Sequence, residues 1–259
     1  MQYVSVAEAK KMRGLRLVLS THVPGPWGES AKALFNARKV AFTPVEQIIF
    51  AQNNELCEWT GGIRNAPIAI WDDDLPVHGW LDLVMLAERL GSGPSLLPAT
   101  SADRALALGL SAELCAPWGF GWMRRLLIFE KNYEGKEPHE LPPELAATLR
   151  AYGYSRAAMA PARRRIEDIL GNLADQIERQ NSAGSRYFVG KEPSAIDYHW
   201  ACFSQMVAPL DAARQPNIPD WLVEKYSDID AGIAQALRPS LIAHRDMIFQ
   251  DHIGLPLDF

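Results

Sequence analysis

The segment TGGIRNAPIAIWDDDLPVHGWLDLVMLAERL, residues 60–90, places a proline directly before a short apolar run. Proline lacks the N–H that a sheet interior requires, so Pro67 indicates an edge strand, a strand's first residue or a special turn. The apolar run 68–71 predicts a strand, and the apolar period of 79–90 predicts a helix. The segment therefore predicts a strand, a turn and a helix in that order.

The first ninety residues continue this mixed pattern. Short apolar runs predict strands at 15–21 and 40–48, and a further short strand at 75–77. Pro26 suits the first position of a helix, because its missing N–H costs nothing there, and this helix is predicted to run to about Arg38. The order is β-α-β, a loop with little pattern, then β-β-α.

Residues 91–101 are rich in Gly, Pro and Ser, a composition typical of a linker between domains. The predicted domains are an α/β unit at 14–90 and an all-helical unit at 102–240, with a tail at 241–259. Apolar periodicity in the second half predicts helices at 102–115, 118–131, 142–180 with a break near Pro161, 194–208, 219–225 and 228–236.

Composition and charge narrow the function classes. The 259 residues are 48% hydrophobic and 22% charged, and the formal net charge of −5 disfavours a nucleic-acid partner. No apolar run is long enough to predict a membrane span, and the first residues lack a signal-peptide core. Three distant cysteines argue against a disulfide framework or a zinc site and fit a reducing cytoplasm. His244 and His252 lack a third metal ligand, and we expect them to tie the tail to the body.

Ser194 and Asp197 have the spacing of a capping box at the start of a helix, with Asp in place of the usual Glu or Gln. Apolar side chains follow with the period of a buried helical face. They are Ile196, Trp200, Phe203 and Val207.

A pre-strand proline in a β-α-β, β-β-α half, a linker, and a helical half containing VGKEPSAID (189–197) together resemble the glutathione transferase superfamily. The resemblance covers 14–90 as a thioredoxin-like domain and about 100–240 as a helical domain. It implies a cis bond at Ala66–Pro67, with the Ala66 backbone pairing with the cysteinyl backbone of glutathione. It also implies a homodimer and glutathione as co-substrate.

Glutathione chemistry requires a thiolate, and members of the superfamily activate the thiol with a Tyr, Ser or Cys near the first helix. Gly25 stands where cysteine-type members carry their nucleophile, which makes covalent cysteine chemistry a poor expectation. Backbone N–H groups at the start of the helix, near Trp27 and Gly28, are the more economical way to stabilise an anionic sulfur. The side-chain candidates are Thr21, Ser20 and His22.

The resemblance also implies where the rest of glutathione binds. His78 and Gly79 occupy the positions of the acid or amide and serine that grip the γ-glutamyl end, so a helix start remains there without its hydroxyl. Asn65, with Arg64, is a candidate for replacement contacts. The predicted glutathione-binding residues are Trp27, Asn65, Ala66, Pro67, His78 and Gly79.

In this superfamily the second-substrate pocket lies between the domains. Trp118, Phe120 and Trp122 alternate with glycines at the corresponding place and predict aromatic walls. Arg124 or Arg125 is a candidate partner for a substrate carboxylate. The alternative is that these aromatic side chains belong to a helix start packed in the core and that the arginines are solvated.

Three functions stay open on this sequence. The first is a glutathione-dependent transferase that acts on a small hydrophobic electrophile by conjugation, thiolytic cleavage or reductive elimination. The second is a non-catalytic protein of the same fold that binds another small ligand between the domains. The third is an interaction module.

Overall fold

In the computed structural model, which describes residues 1–49 and 51–259, without the side chains of Glu144, Thr148 and Ala151, a three-stranded sheet lies in the first half. Strand β1 (Leu15–Ser20) is central, β2 (Phe42–Gln47) pairs with it in parallel, and β3 (Ile68–Trp71) pairs antiparallel. Residues 15–19 of β1 are buried, as expected for a central strand covered on both faces. The three predicted strands are confirmed.

The short strand predicted at 75–77 is wrong, because only Val77 pairs, in a single antiparallel bridge to Ala69. Leu75 is 86% exposed, and the adjacent Pro76 cannot donate a ladder hydrogen bond. Val4 forms another isolated bridge, to Val45 at the outer edge of β2.

Two predicted helices of the first half are confirmed, and both begin after a glycine. Helix α2 (Pro26–Ala37) starts after Gly25, and α4 (Trp80–Leu90) starts after Gly79. The pattern did not predict the short helices α1 (Val6–Ala9) and α3 (Asn54–Trp59).

The second half is helical, and residues 91–100 that precede it contain no helix or strand. The predicted segment 142–180 divides into three helices, with the last beginning after Pro161. The described helices are α5 (Ser101–Cys115), α6 (Phe120–Asn132), α7 (Pro143–Ala151), α8 (Arg156–Met159), α9 (Ala162–Ser182), α10 (Ala195–Phe203), α11 (Asp220–Ser227), α12 (Ala231–Ala236) and α13 (Pro239–Ile248).

Helix α10 joins the two halves. The predicted capping box is confirmed, since Ser194 N–H donates to Asp197 Oδ2 at 2.8 Å and the Ser194 hydroxyl donates to the same oxygen at 3.1 Å. The other carboxylate oxygen accepts from Phe188 N–H at 2.9 Å. The predicted apolar face, Ile196, Trp200, Phe203 and Val207, is buried. Other α10 side chains, such as Tyr198 and Cys202, share a core with β1 and α2.

The C-terminal segment packs against the body, as expected from its histidines. His244 Nε2 lies 2.8 Å from Asp197 Oδ1, and His252 Nε2 lies 3.1 Å from the Tyr187 hydroxyl. Helix α13 runs across the predicted boundary at residue 240 and continues as a π-helix over Phe249–Ile253. The segment then reaches α2, where Lys32 Nζ donates to the Asp258 carbonyl at 2.6 Å.

Candidate functional site

A cavity of about 50 Å³ lies where the end of β1, the start of α2 and the loop before β3 meet helix α6. The β1 end contributes Leu19 and Ser20, and the loop before β3 contributes Ala66. The remaining lining residues are Tyr3, Val23, Gly25, Trp27, Gly28, Glu29 and Arg125. Ligand pockets for drug-sized molecules span about 300–1,000 Å³, so this cavity accommodates only a small chemical group.

The start of α2 lines this cavity with Gly25, Trp27 and Gly28. Gly25 is the N-cap in extended conformation, Pro26 follows, and no side chain caps this end. The first-turn N–H groups of Trp27 and Gly28 therefore carry the partial positive charge of a helix N-terminus. A β-carbon at Gly28 would lie 3.3 Å from Leu19 Cδ2, so the glycine lets the helix approach β1 closely.

The peptide bond between Ala66 and Pro67 is cis, as the resemblance implies. Pro67 is buried, whereas Ala66 is half-buried and lines the cavity. The bridge between Ala69 and Val77 sets an antiparallel register that brings residues 78–79 beside residues 67–68.

Of the three side chains predicted to activate a thiol, only Ser20 reaches the cavity. Its hydroxyl donates to Gln47 Oε1 at 2.9 Å. The Thr21 hydroxyl donates to the Gln47 carbonyl at 3.4 Å, outside the cavity lining. His22 is exposed with a positive φ of 59° and packs edge-on to Tyr3. Thr21 and His22 are therefore not among the residues that line the cavity.

The predicted γ-glutamyl residues lie outside the cavity lining. His78 is exposed, and Gly79 is an uncapped N-cap in extended conformation. The Asp82 carboxylate from the first turn of α4 lies against Gly79, where it occupies the space that a β-carbon would take. This helix end therefore already faces a carboxylate, which suits an ammonium group better than a second anion.

Arg125 of α6 lies among three aromatic rings at the cavity. Its guanidinium carbon is 4.4 Å from the Trp27 ring centroid, 4.8 Å from Tyr152 and 5.3 Å from Trp122. Desolvation by burial lowers the pKa of Arg125. The Tyr152 hydroxyl in turn donates to Asn65 Oδ1 at 3.5 Å, which connects this aromatic cage to the loop that carries Ala66.

Gly121 allows helix α6 to approach α2 closely. A β-carbon there would lie 2.5 Å from Phe203 Cε1 and 2.8 Å from Trp27 Cη2. Residues four apart share one face of a helix, so Gly121 and Arg125 both face Trp27. The alternation of glycine with aromatic residues thus serves close helix packing.

The predicted aromatic pocket does not form as a unit. Trp118 is 57% exposed in the turn before α6, and Phe120 is buried in the helical core against Trp200. Trp122 lies in the Arg125 cage. The three side chains diverge because Trp118 precedes the helix, whereas Phe120 and Trp122 are two residues apart on α6 and point to different sides.

Arg124 is a correction to the predicted substrate contacts. It is 1% exposed, and its guanidinium donates to backbone carbonyls: Met206 at 2.9 Å, Lys225 at 2.9 Å, Tyr226 at 3.5 Å and Asp228 at 2.8 Å. These donors are used to hold the segment after α10 and the end of α11. The adjacent Arg125 is the arginine that lines the cavity.

Two ionisable residues of the cavity lining, Tyr3 and Glu29, were missed as site residues. Burial, together with the charges of Glu29 and Asp258, raises the pKa of Tyr3 to about 12. Burial raises the pKa of Glu29, whose carboxylate pairs with Lys32 Nζ at 2.8 Å. Glu29 follows the helix-opening proline in GPWGES and could have been found there, whereas Tyr3 carries no sequence signal.

Neither a metal centre nor a membrane span was found in the part of the chain described. Among the side chains that the structure describes, which leave out residue 50 and Glu144, there is no group of three or more His, Cys, Asp or Glu arranged to hold a metal ion. None of the helices described within those ranges has the length and hydropathy to cross a membrane.

Comparisons with known proteins identify the architecture. No sequence-family profile and no curated protein matches the chain. A glutathione transferase family member from Pseudomonas fluorescens Pf-5 with two glutathione bound has 15% identity and a TM-score of 0.56, over 97% of this chain and 98% of its own. A glutathione S-transferase from Methylobacillus flagellatus KT with glutathione bound has 10% identity and a TM-score of 0.56, over 89% and 98%. One from Methylobacterium radiotolerans JCM 2831, in complex with glutathione sulfonate, has 14% identity and a TM-score of 0.54, over 95% and 97%. The chain therefore has the fold of the glutathione S-transferases, a thioredoxin-like α/β half followed by a helical half.

Proposed function

We propose that this chain binds glutathione with the sulfur in the cavity at the start of α2 and transfers it to a small hydrophobic electrophile. One observation carries the proposal: Ala66, which precedes the cis proline, lines the same cavity as the uncapped first turn of α2. The backbone of Ala66 is then placed to pair with the cysteinyl residue, while Trp27 and Gly28 N–H groups face the sulfur.

We infer from the size of the cavity which part of the tripeptide enters it. At about 50 Å³ it has room for a thiol group, so the peptide itself lies outside, along the loop with Asn65 and Ala66. The γ-glutamyl end extends toward His78 and Gly79 at the start of α4. There the Asp82 carboxylate, which lies against Gly79 at the helix end, is available for the γ-glutamyl ammonium.

The proposed reaction begins with loss of the thiol proton to solvent. The thiolate then attacks the electrophilic carbon, and a sulfur–carbon bond forms while the bond to the leaving group breaks. With an aryl halide, the halide departs with the bonding electron pair. The helix N-terminus stabilises the anionic sulfur before attack.

Retention on immobilised glutathione, elution by free glutathione, and turnover of a generic aryl halide test this proposal. We expect retention and a thermal shift at millimolar glutathione, and a smaller thermal shift with the matched tripeptide that carries serine in place of cysteine. Absence of retention together with absence of a thermal shift would refute glutathione binding.

A second function, ligand binding without catalysis, is favoured by the aromatic cage. Trp27, Trp122 and Tyr152 pack around Arg125, which leaves the cavity with about 50 Å³ and without room for an electrophile. Retention without turnover of a panel of aryl halides, epoxides and quinones would support this second function over the first.

We further propose a homodimer that works in detoxification in the cytoplasm, with a domain division at residues 91–101. The resemblance supports the dimer, and three free cysteines support a reducing compartment. Light scattering during gel filtration tests the dimer, where a monomeric mass would contradict it.

A further inference from the structure

Arg125 and Arg124 are neighbours on α6 but differ in how their charges are used. Arg124 directs its donors at backbone carbonyls, including those of Met206 and Asp228. Among the side chains that the structure describes, which exclude those of Glu144, Thr148 and Ala151, Arg125 has no ion pair and donates no hydrogen bond, and three aromatic rings lie against it. Arg125 is therefore a cation whose partner is absent from the described chain.

Arg125 is half-buried, so its guanidinium loses part of its hydration to the aromatic rings and keeps part of its surface on the cavity. The arginine remains charged, even though burial lowers its pKa. A negative group that enters the cavity would therefore gain a charge-assisted contact with the guanidinium.

The cavity itself limits which anion this is. Arg125 lines it together with Ala66 and the first turn of α2. Because a helix N-terminus carries a partial positive charge, two positive groups border the same cavity. The volume of about 50 Å³ admits a single small group. The acid in the lining, Glu29, is already paired with Lys32.

We propose that Arg125 stabilises the glutathione thiolate in this cavity, in the place of an activating hydroxyl or cysteine. The inference rests on the proposed function, since it assumes that glutathione binds with its sulfur here. In the step concerned, the thiol S–H bond breaks and its proton passes to solvent. Both bonding electrons stay on sulfur, which the guanidinium and the α2 N–H groups then hold.

Other ionisable groups around the cavity cannot replace this charge. Tyr3, with its pKa raised to about 12, is a neutral phenol at pH 7. On the helical side, Tyr152 and Tyr226 lie near Arg125, and burial raises the pKa of Tyr226 to about 12. Arg124 is committed to carbonyls, and the Glu29–Lys32 pair carries no net charge.

The test is a pH titration of bound glutathione, followed by the ultraviolet absorbance of the thiolate, in Arg125→Met, Arg125→Lys and the unchanged chain. An opposite charge at close range lowers a pKa by about one to three units, so Arg125→Met should raise the thiol pKa by at least about one unit. Arg125→Lys should restore part of that shift. Arg164→Met, at an exposed position on α9, is the matched control and should leave the titration unchanged.

Binding of S-methylglutathione, which has no thiol proton, separates the two proposals. Arg125→Met should alter its affinity less than about threefold while the thiol pKa rises. If the unchanged chain binds neither ligand, the proposed function fails. If it binds both, and Arg125→Met leaves the thiol pKa unchanged or weakens both ligands equally, the Arg125 inference is overturned.

The variant Tyr3→Phe tests the competing explanation, in which the Tyr3 hydroxyl activates the thiol. If this variant raises the thiol pKa and Arg125→Met does not, the phenol activates the sulfur. Melting temperatures of all variants report whether they fold.

Discussion

The starts of α2 and α4 have nearly the same backbone and opposite surroundings. Each follows a glycine in extended conformation, with φ −69° and ψ 137° at Gly25 and φ −69° and ψ 141° at Gly79, and neither has a side-chain cap. The α2 end opens on a cavity that Arg125 lines, whereas the Asp82 carboxylate covers the α4 end.

This comparison shows that a helix N-terminus acquires a role from what faces it. Both ends carry the same partial positive charge. At α2 an added cation increases the attraction for an anion, and at α4 an added carboxylate cancels it. The first end therefore suits a thiolate, and the second suits an ammonium group.

The largest effect is expected from a substitution at the start of α2. Trp27→Ala removes a ring that packs 4.8 Å from Phe203 and lies against Arg125, so we expect a loss of about 3 kcal/mol in the free energy of unfolding. Glutathione affinity should fall at least about tenfold, because the guanidinium loses its support. Denaturant titration and calorimetric binding measure both.

Trp80→Ala at the α4 end is the matched control. It should cost about 2 kcal/mol in stability while glutathione affinity changes less than about threefold, because the Trp80 ring packs on His199 and not on the cavity. An equal loss of affinity in the two variants would contradict the asymmetry between the helix ends.

Acid pH should lower the free energy of unfolding through protonation of His199, whose ring packs beside α4. Burial lowers its pKa to about 3, and its ring packs on Trp80 while Nδ1 lies 3.1 Å from the Ser111 hydroxyl. The unfolded chain binds the proton near the usual pKa of about 6.5, so this contribution is intact above that pH and is lost as pH falls toward 3. At pH 5 the loss is about 2 kcal/mol, from about 1.4 kcal/mol per unit.

Unfolding free energies measured from pH 7 to pH 5 in the unchanged chain and in His199→Asn check this. The variant should lose about 2 kcal/mol less over that interval. His139→Asn, at an exposed position, should follow the unchanged chain. Parallel curves for all three proteins would show that His199 does not titrate as inferred.

The contrast between the two helix ends also marks what could be predicted from the sequence. Strand and helix positions in the first half follow from local patterns, because Pro26, Pro67 and the apolar runs act over a few residues. The glycines before α2 and α4 are also evident in the sequence. The groups that face those glycines come from other elements, and local patterns carry no information about them.

Arg124 and Arg125 illustrate this limit. Both follow an aromatic and glycine-rich stretch, and the sequence left either as a substrate contact. Adjacent residues on a helix point about 100° apart, so one reaches carbonyls near α11 and the other reaches the cavity. The packing of α6, set by Gly121 against Trp27 and Phe203, determines which of the two arginines reaches the cavity.

A moderate effect is expected at the α4 end from Asp82→Asn. If this carboxylate binds the γ-glutamyl ammonium, its neutralisation should weaken glutathione about fivefold, or roughly 1 kcal/mol, because the group is exposed to solvent. A glutathione analogue without the α-amino group should bind both proteins alike. If the analogue and glutathione weaken together, Asp82 acts on the helix and not on the ligand.

The smallest effect is expected at the end of β1. Ser20→Ala removes a hydroxyl that donates to Gln47 Oε1, so stability should fall by about 1 kcal/mol while the thiol pKa stays within about 0.3 units. Thr21→Ala, whose hydroxyl donates to the Gln47 carbonyl, should likewise leave the titration of bound glutathione unchanged. A rise of a full unit in the Ser20 variant alone would return the activation of the sulfur to a hydroxyl and remove the need for charge at α2.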